Sequence, residues 1–270
     1  MVGAAAPAAW TSGTVEVTGG RLAYCRTGGL GPVVLLSHGL TDSGLCWFRL
    51  AQALAPEFDL VLLDARGHGD SCRIPEGGHD PARDIAEAAA GLGLDRPVVM
   101  GHSVGGRATA DYAGAHPGRV SKVILEDPVF LPPADPAATA KRRARFREQV
   151  EGFRAMSQAE LIAMGRATSP GWHEDDFPAW AAAKPRVDPE AYPAYARPWQ
   201  GAVARISAPT LLVRGEAALG GLVTPAIAAE AMAINPRIQS VEIPGAGHNT
   251  RRENFDAYLA AVRDFLRTPV

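Results

Sequence analysis

The sequence predicts an α/β protein: a doubly wound, mostly parallel eight-stranded sheet with a helical insertion. Short β-branched runs alternate with longer helical patterns, a Gly19-Gly20 pair joins the first two runs, and a segment rich in proline and aromatic residues interrupts the alternation once. Alternating strands and helices are typical of a parallel sheet covered on both faces. With 270 residues and 47% hydrophobic content, the chain is long enough for a full core.

Each candidate element follows from its own pattern. The first two strands are predicted to form a hairpin at the glycine pair. The strands are predicted at Thr14–Val17, Arg21–Arg26, Val33–Ser37, Leu60–Leu63, Val98–Gly101, Val120–Leu125, Thr210–Arg214 and Ser240–Ile243. The helices between them are predicted at Cys46–Ala55, Asp84–Leu92, Val104–Ala115, Pro225–Ala233 and Asn254–Leu266. These elements define a core domain of residues 1–131 and 206–270.

Residues 132–205 break this rhythm and predict a mostly helical cap over the sheet. The segment opens at Pro132-Pro133 and holds three of the five tryptophans, Trp172, Trp180 and Trp199. We expect these three side chains to line a substrate pocket, although ordinary packing within the cap is the alternative. The basic run Lys141–Arg145 is most simply a solvated helix face.

Charge and composition exclude several classes of partner. A net charge of -2 gives no broad attraction for nucleic acid or an anionic membrane. No apolar window approaches the roughly 18 residues of a membrane helix, and Met1–Trp10 lacks the features of a secretory signal, so we expect a loose tail. Cys25, Cys46 and Cys72 match no zinc or redox spacing. We predict a cytoplasmic protein with no metal, and leave a homodimer open.

A catalytic serine is indicated by Gly101-His102-Ser103-Val104-Gly105, which matches the G-x-S-x-G pattern. The motif lies between an apolar strand and a helix, where a tight turn would raise the serine hydroxyl above the sheet edge. The N–H of Val104 would begin the helix unpaired and could stabilise negative charge. The alternative is that Ser103 only caps the helix.

With this motif the chain resembles the α/β-hydrolase superfamily over nearly its whole length. Ser37-His38-Gly39-Leu40 is similar to the oxyanion loop of that superfamily, and Asp64–Ser71 is similar to its D-x-R-G-x-G-x-S turn. The resemblance implies that the N–H of Leu40 is a second oxyanion donor. It implies no catalytic role for Asp64. His38, Gly39 and His102 flank the site, and we expect them to contact the substrate or support the pocket.

His248 is the predicted base. It lies in the glycine-rich Pro244–Asn249 stretch, after the last strand and before the terminal helix, where the superfamily carries its catalytic histidine. It also comes last in the chain order serine, acid, histidine that these enzymes share.

The acid has three candidates. Relatives most often carry it beyond the strand Thr210–Arg214 in a G-x-x-D arrangement, but this chain has Gly215-Glu216-Ala217-Ala218, with alanine at the expected position. A variant seen in some lactonases and dehalogenases moves the acid to the end of the preceding strand. That end reads Leu125-Glu126-Asp127-Pro128 here. We predict Asp127, then Glu216, then Glu126; a simple turn residue is the alternative for Asp127.

The resemblance implies a serine hydrolase without metal or organic cofactor. Because the cap is rich in aromatic residues, we predict an ester or lactone of a small hydrophobic compound as the substrate. The alternatives are hydrolysis of a carbon–carbon bond in a ring-cleavage product, cofactor-free haloperoxidase or thioesterase action, and a non-catalytic binding protein on the same fold.

Overall fold

One sheet organises the molecule. In the part of the chain that the structure, a computed structural model, describes (residues 10–132, 135–193 and 197–269), this sheet has eight strands. They are β1 Thr11–Val17, β2 Gly20–Arg26, β3 Val33–Ser37, β4 Asp59–Leu63, β5 Val98–His102, β6 Lys122–Glu126, β7 Thr210–Arg214 and β8 Ile238–Glu242, in the order β1-β2-β4-β3-β5-β6-β7-β8. The pairings β1 with β2 and β2 with β4 are antiparallel, and the other pairings are parallel.

The central strands are buried on both faces because successive side chains enter different cores. In β4, Val61 and Leu63 pack into a buried cluster that includes Ile85, whereas Leu60 and Leu62 pack into a second buried cluster that includes Leu50. This two-sided burial is the alternation of a strand with helices on both faces. The predicted doubly wound sheet is confirmed.

The described helices are α1 Phe48–Leu54, α2 Pro81–Gly91, α3 Val104–Ala115, α4 Pro136–Arg154, α5 Gln158–Thr168, α6 Asp176–Ala183, α7 Gln200–Val203, α8 Pro225–Ile234, α9 Thr250–Glu253 and α10 Phe255–Arg267. Three helix starts differ from the sequence prediction. The helix α10 begins at Phe255, one residue late, because Asn254 is its N-cap. The helix α2 begins at Pro81, three residues early, because Asp80 caps it by accepting the N–H groups of Ala82 and Arg83. A short 3₁₀ helix occupies Gly44–Trp47, so α1 begins only at Phe48.

The segment between β6 and β7 contains α4 to α7. Phe146 and Val150 of α4 pack with Val187 and Ala191, and Leu40 of the core lies against this group. The end of the segment behaves differently, since Trp199 is buried within a cluster of the main core. The last turn of the predicted insertion therefore packs as part of the sheet's helical layer.

Two expectations concern the chain's ends and its thiols. Residues 1–9 of the expected N-terminal tail, and Pro133 of the proline pair, lie outside the described residues. Cys25, Cys46 and Cys72 are free cysteines. Within the described ranges, no helix combines the length and apolar character that crossing a membrane requires.

Candidate active site

Ser103, His248 and Asp127 meet at the carboxyl edge of the sheet. Nε2 of His248 lies 2.9 Å from Oγ of Ser103, and Nδ1 of the same ring lies 2.7 Å from Oδ2 of Asp127. The Asp127 side chain is fully buried, while that of His248 keeps 30% of its surface exposed. The acid is thus shielded from water, and the imidazole remains accessible to a reactant. The three side chains form one continuous hydrogen-bonded chain.

The turn at Ser103 has the strained geometry that the motif requires. Ser103 has φ 56° and ψ -119°, and its hydroxyl makes no capping hydrogen bond to α3 although the residue stands at the N-cap. A Cβ atom on Gly105 would overlap the main-chain oxygens of Ser37 and His38, so only glycine allows α3 to approach the end of β3. The capping alternative for Ser103 does not describe this hydroxyl, which faces His248 instead.

Asp127 is held by main-chain amides as well as by the imidazole. Its Oδ1 accepts the N–H of Val223 at 2.9 Å, and its Oδ2 accepts the N–H of Leu222 at 2.8 Å. Both donors belong to the loop after β7, the loop in which relatives most often carry the acid itself. Here that loop supports a carboxylate that comes from the end of β6. A pattern of side chains could not have revealed these two amides.

The other two candidate acids are bound elsewhere. The carboxylate of Glu216 accepts the N–H of Gly245 at 2.6 Å and so fixes the loop that leads to His248. The fully buried carboxylate of Glu126 accepts from the Thr250 hydroxyl at 2.9 Å and from the Arg251 guanidinium at 3.1 Å. Neither carboxylate is the partner of the imidazole.

A buried ionic network lies behind the site. Arg251 bridges Glu126 and Asp42, and Asp42 also binds Arg252 at 2.9 Å and Lys184 at 3.4 Å. Burial alone would raise the pKa of the Asp42 carboxyl, but the charges of Arg252, Lys184 and Arg251 outweigh it and hold the pKa well below its usual value. The network connects the oxyanion loop, the histidine loop and the segment between β6 and β7. No sequence pattern indicates this network, because its members are far apart in the chain.

Two main-chain N–H groups near Ser103 have no acceptor among the described residues, those of Leu40 and Val104. The Gly39 carbonyl, in the same peptide group as the Leu40 N–H, accepts from Nδ1 of His38 at 2.8 Å and from the N–H of Asp42 at 3.1 Å. Because a trans peptide directs its C=O and N–H to opposite sides, these bonds fix the direction of the Leu40 N–H.

The tautomer of His38 follows from its second contact. Nε2 of His38 accepts the N–H of Ala65 at 3.0 Å, so the ring proton is on Nδ1 and faces the Gly39 carbonyl. Burial of the ring, and to a smaller extent the neighbouring His68, lowers the pKa of His38 to about 3. The ring therefore stays neutral and keeps this donor at ordinary pH. His38 also lines a cavity, but its hydrogen bonds are those of a support for the oxyanion loop.

His102 supports the histidine loop and does not contact the cavity. His102 is buried, with only 3% of its surface exposed. Its Nε2 donates to the main-chain oxygen of His248 at 3.0 Å. Burial lowers the pKa of His102 to about 3, so it too is neutral. A Cβ atom on Gly39 would collide with Nδ1 of His102 and lie 3.6 Å from Cβ of Ser103. Gly39 thus allows the close approach of the oxyanion loop to the serine.

A cavity of about 820 Å³ begins beside Leu40 and Val104. The three tryptophans expected in the pocket are not among the residues that line it. Their rings pack against other side chains: Trp172 against Arg252 at 4.6 Å, Trp180 against Lys184 at 4.4 Å, and Trp199 against Phe130 at 4.6 Å. The aromatic content of the segment therefore gives no reason to expect a hydrophobic substrate.

Comparisons with known proteins agree with this architecture. The chain is 30% identical to N-formylmaleamate deformylase of Pseudomonas putida, over 96% of this chain and 97% of that protein. It is 28% identical to 2-(acetamidomethylene)succinate hydrolase of Mesorhizobium japonicum, over 89% and 90% of the two chains.

Solved structures show the same fold. A crystal structure of E-2-(acetamidomethylene)succinate hydrolase superposes with a TM-score of 0.79 at 24% identity, covering 96% of this chain and all of that one. A malate-bound thermophilic esterase from Thermogutta terrifontis gives 0.76 at 26% identity, covering 95% and 98%. The model of the alpha/beta hydrolase family matches residues 33–262. The chain belongs to the alpha/beta hydrolase family.

Proposed function

We propose that the protein is a serine hydrolase that cleaves small carboxylic esters or lactones through an acyl-enzyme on Ser103. The observation that carries the proposal is the unbroken chain of hydrogen bonds from the Ser103 hydroxyl through His248 to Asp127, at 2.9 and 2.7 Å. This is the arrangement of a nucleophile, its base and the group that orients the base.

The proposed reaction has two symmetrical halves. Nε2 of His248 takes the proton of Ser103 as the serine oxygen attacks the carbonyl carbon, and the resulting oxyanion accepts the N–H groups of Leu40 and Val104. The imidazolium then gives the proton to the leaving alkoxide, which departs as an alcohol. Water, deprotonated by the same ring, attacks the acyl-enzyme, and collapse returns the proton to Ser103 and releases the acid. Asp127 holds the tautomer and stabilises the imidazolium.

A second candidate is hydrolysis of an acylated nitrogen. Two relatives that span most of this chain are named for compounds with such a group, N-formyl in one and acetamido in the other. The same steps apply, with nitrogen as the leaving atom. Hydrolysis of a carbon–carbon bond would use the same three side chains. The intact chain of hydrogen bonds from Ser103 to Asp127 favours an enzyme over a non-catalytic binding protein. The cytoplasmic location, the lack of a cofactor and the oligomeric state stay predictions.

A substrate panel tests the proposal. Purified protein would be assayed with short methyl esters, five- and six-membered lactones, N-formyl and N-acetyl enamides, and a vinylogous diketone, each with the Ser103→Ala variant as control. The proposal expects ester or lactone turnover that the variant loses. Turnover confined to the acylated nitrogens would favour the second candidate. Turnover that persists without the Ser103 hydroxyl would refute both.

A further inference from the structure

The cavity beside the oxyanion donors carries more positive than negative charge. Among the described residues that line it are five arginines and four carboxylates. Two of the carboxylates are matched within the cavity by buried arginines, Asp84 by Arg66 at 2.8 Å and Asp111 by Arg107 at 3.0 Å. These pairs leave the remaining arginines to decide the electrostatic character of the cavity.

The other two carboxylates are already engaged. Glu190 is bound in two places by Arg147, which does not line the cavity, at 2.6 and 2.9 Å. Asp80 accepts the N–H groups at the start of α2, where the helix dipole favours a negative charge. Arg143, Arg197 and Arg205 form no ion pair in the described parts of the chain. The Arg205 guanidinium donates to the main-chain oxygen of Gly114 at 3.2 Å. The charge of Arg143, after that of Arg147, helps to lower the pKa of Glu190.

Arg143 is an exposed residue of α4 that lines the cavity. It is one helical turn before Phe146, whose cluster includes Leu40 and Tyr192, and it lines the cavity together with those two residues. The basic run Lys141–Arg145 is exposed throughout, as expected of a solvated helix face, and Arg143 in addition lines the cavity. Arg145 of the same run is exposed and does not line the cavity.

Arg197 is an exposed residue that lines the same cavity and is tied to α3 through its main chain. Its main-chain oxygen accepts Nη2 of Arg107 at 2.8 Å, and Arg107 follows Val104 by three residues. Three residues of helix advance about 5 Å. Arg143 and Arg197 therefore line the same cavity as Leu40 and Val104, and this cavity of about 820 Å³ has room for a small molecule.

We propose that this cavity binds a carboxylate of the substrate through Arg143 and Arg197. The substrate class is then a short acid that carries a free carboxylate besides its scissile acyl group. Guanidinium groups match carboxylates in geometry as well as charge. The inference rests on the proposed function for the statement that this ligand is the substrate, but the cavity's preference for an anion can be measured without turnover.

The kinetic test compares two esters of similar shape and different charge, monomethyl succinate and methyl pentanoate, in a pH-stat. The wild-type protein is expected to hydrolyse the charged ester with kcat/KM at least about tenfold higher. Arg143→Gln and Arg197→Gln should each lose about tenfold on the charged ester, mainly through KM, and little on the neutral one. The matched control Arg145→Gln should change neither. Equal losses on both esters, or no preference in the wild type, would overturn the inference.

The binding test separates this inference from the proposed function. Titration of the Ser103→Ala variant with succinate, and with succinamide as the neutral control, requires no catalysis. Binding of succinate alone, weakened by Arg143→Gln and Arg197→Gln in the same background, supports the anion site even if the wild type hydrolyses no ester. Absence of succinate binding in a variant whose wild-type parent hydrolyses esters would overturn the anion site and leave the proposed function standing. Absence of both would reject both.

Discussion

Nδ1 of His248 lies 2.7 Å from Oδ2 of Asp127, and the same carboxylate accepts two amides from the loop after β7. The acid therefore comes from the strand end next to that of Ser103, because β5 and β6 are paired neighbours. The loop after β7 is left to hold the carboxylate in place. Because the carboxylate comes from the end of β6, the loop after β7 needs no acid of its own, and alanine can occupy position 218.

The first prediction concerns the acid. Asp127→Asn should lower kcat by about 10⁴, because an amide would favour the wrong imidazole tautomer. Glu216→Gln should change kcat by less than a few fold, since the Gly245 N–H can still be accepted by the amide oxygen. Steady-state rates on the best substrate of the panel measure both. A larger loss in Glu216→Gln than in Asp127→Asn would show that the acid has been misassigned.

The second prediction concerns His38 as a support of the oxyanion loop. His38→Ala should lower kcat by about tenfold to a hundredfold, less than the loss of a whole oxyanion donor, with KM nearly unchanged. His38→Gln should recover part of the rate, because its amide can donate to the Gly39 carbonyl. His173→Ala, at an exposed position, is the control. Equal rates for His38→Ala and the wild type would mean that the loop needs no such donor.

The third prediction uses two glycines in helices. Gly105→Ala should destabilise the protein by about 1–3 kcal/mol, since the new methyl group meets main-chain oxygens that cannot move freely. Gly152→Ala in α4, where nothing lies near the added carbon, should stabilise it by up to about 1 kcal/mol. Urea denaturation gives both values. A Gly105→Ala variant as stable as the wild type, or more stable, would contradict the close contact between α3 and β3.

The fourth prediction concerns acid stability. Burial lowers the pKa of His102 from 6.5 to about 3, so between these values the unfolded chain binds a proton that the folded chain does not. This contribution to stability is complete above pH 6.5 and is lost as the pH falls towards 3. It adds about 1.4 kcal/mol per pH unit to the slope of the free energy of unfolding. In His102→Gln that slope, measured by urea denaturation from pH 4 to 7, should be smaller by this amount. Identical slopes would mean that His102 takes up its proton in the folded state.

Much of the fold could be predicted because its central elements have unambiguous patterns. The strands Val33–Ser37 and Thr210–Arg214 and the helix Val104–Ala115 have the predicted boundaries. The edge strand β8 begins at Ile238, two residues before the prediction, since an edge strand is only half buried and its pattern mixes polar and apolar residues. The buried strand β6 also begins two residues away from its prediction, at Lys122 instead of Val120, because the apolar run before it continues into the preceding turn.

Some parts of the candidate site could likewise be predicted from the sequence, and others could not. Ser103, His248 and Asp127 each follow a strand end, so a sequence could identify them and the topology brings them together. The contributions of Leu222 and Val223 are main-chain amides, which no residue type reveals. A run of similar basic residues did not indicate that Arg143 faces the cavity. Aromatic content indicated a pocket lined by the tryptophans, whereas Trp172 and Trp199 are buried against other side chains and Trp180 is half-buried.

The most direct test of the central claim is reaction with a fluorophosphonate, followed by mass spectrometry of the intact protein and its peptides. The account predicts one adduct, on Ser103, formed quickly by the wild type, slowly by His248→Gln, and not at all by Ser103→Ala. An adduct on another residue, or equal rates in the wild type and His248→Gln, would contradict the claim that His248 activates Ser103.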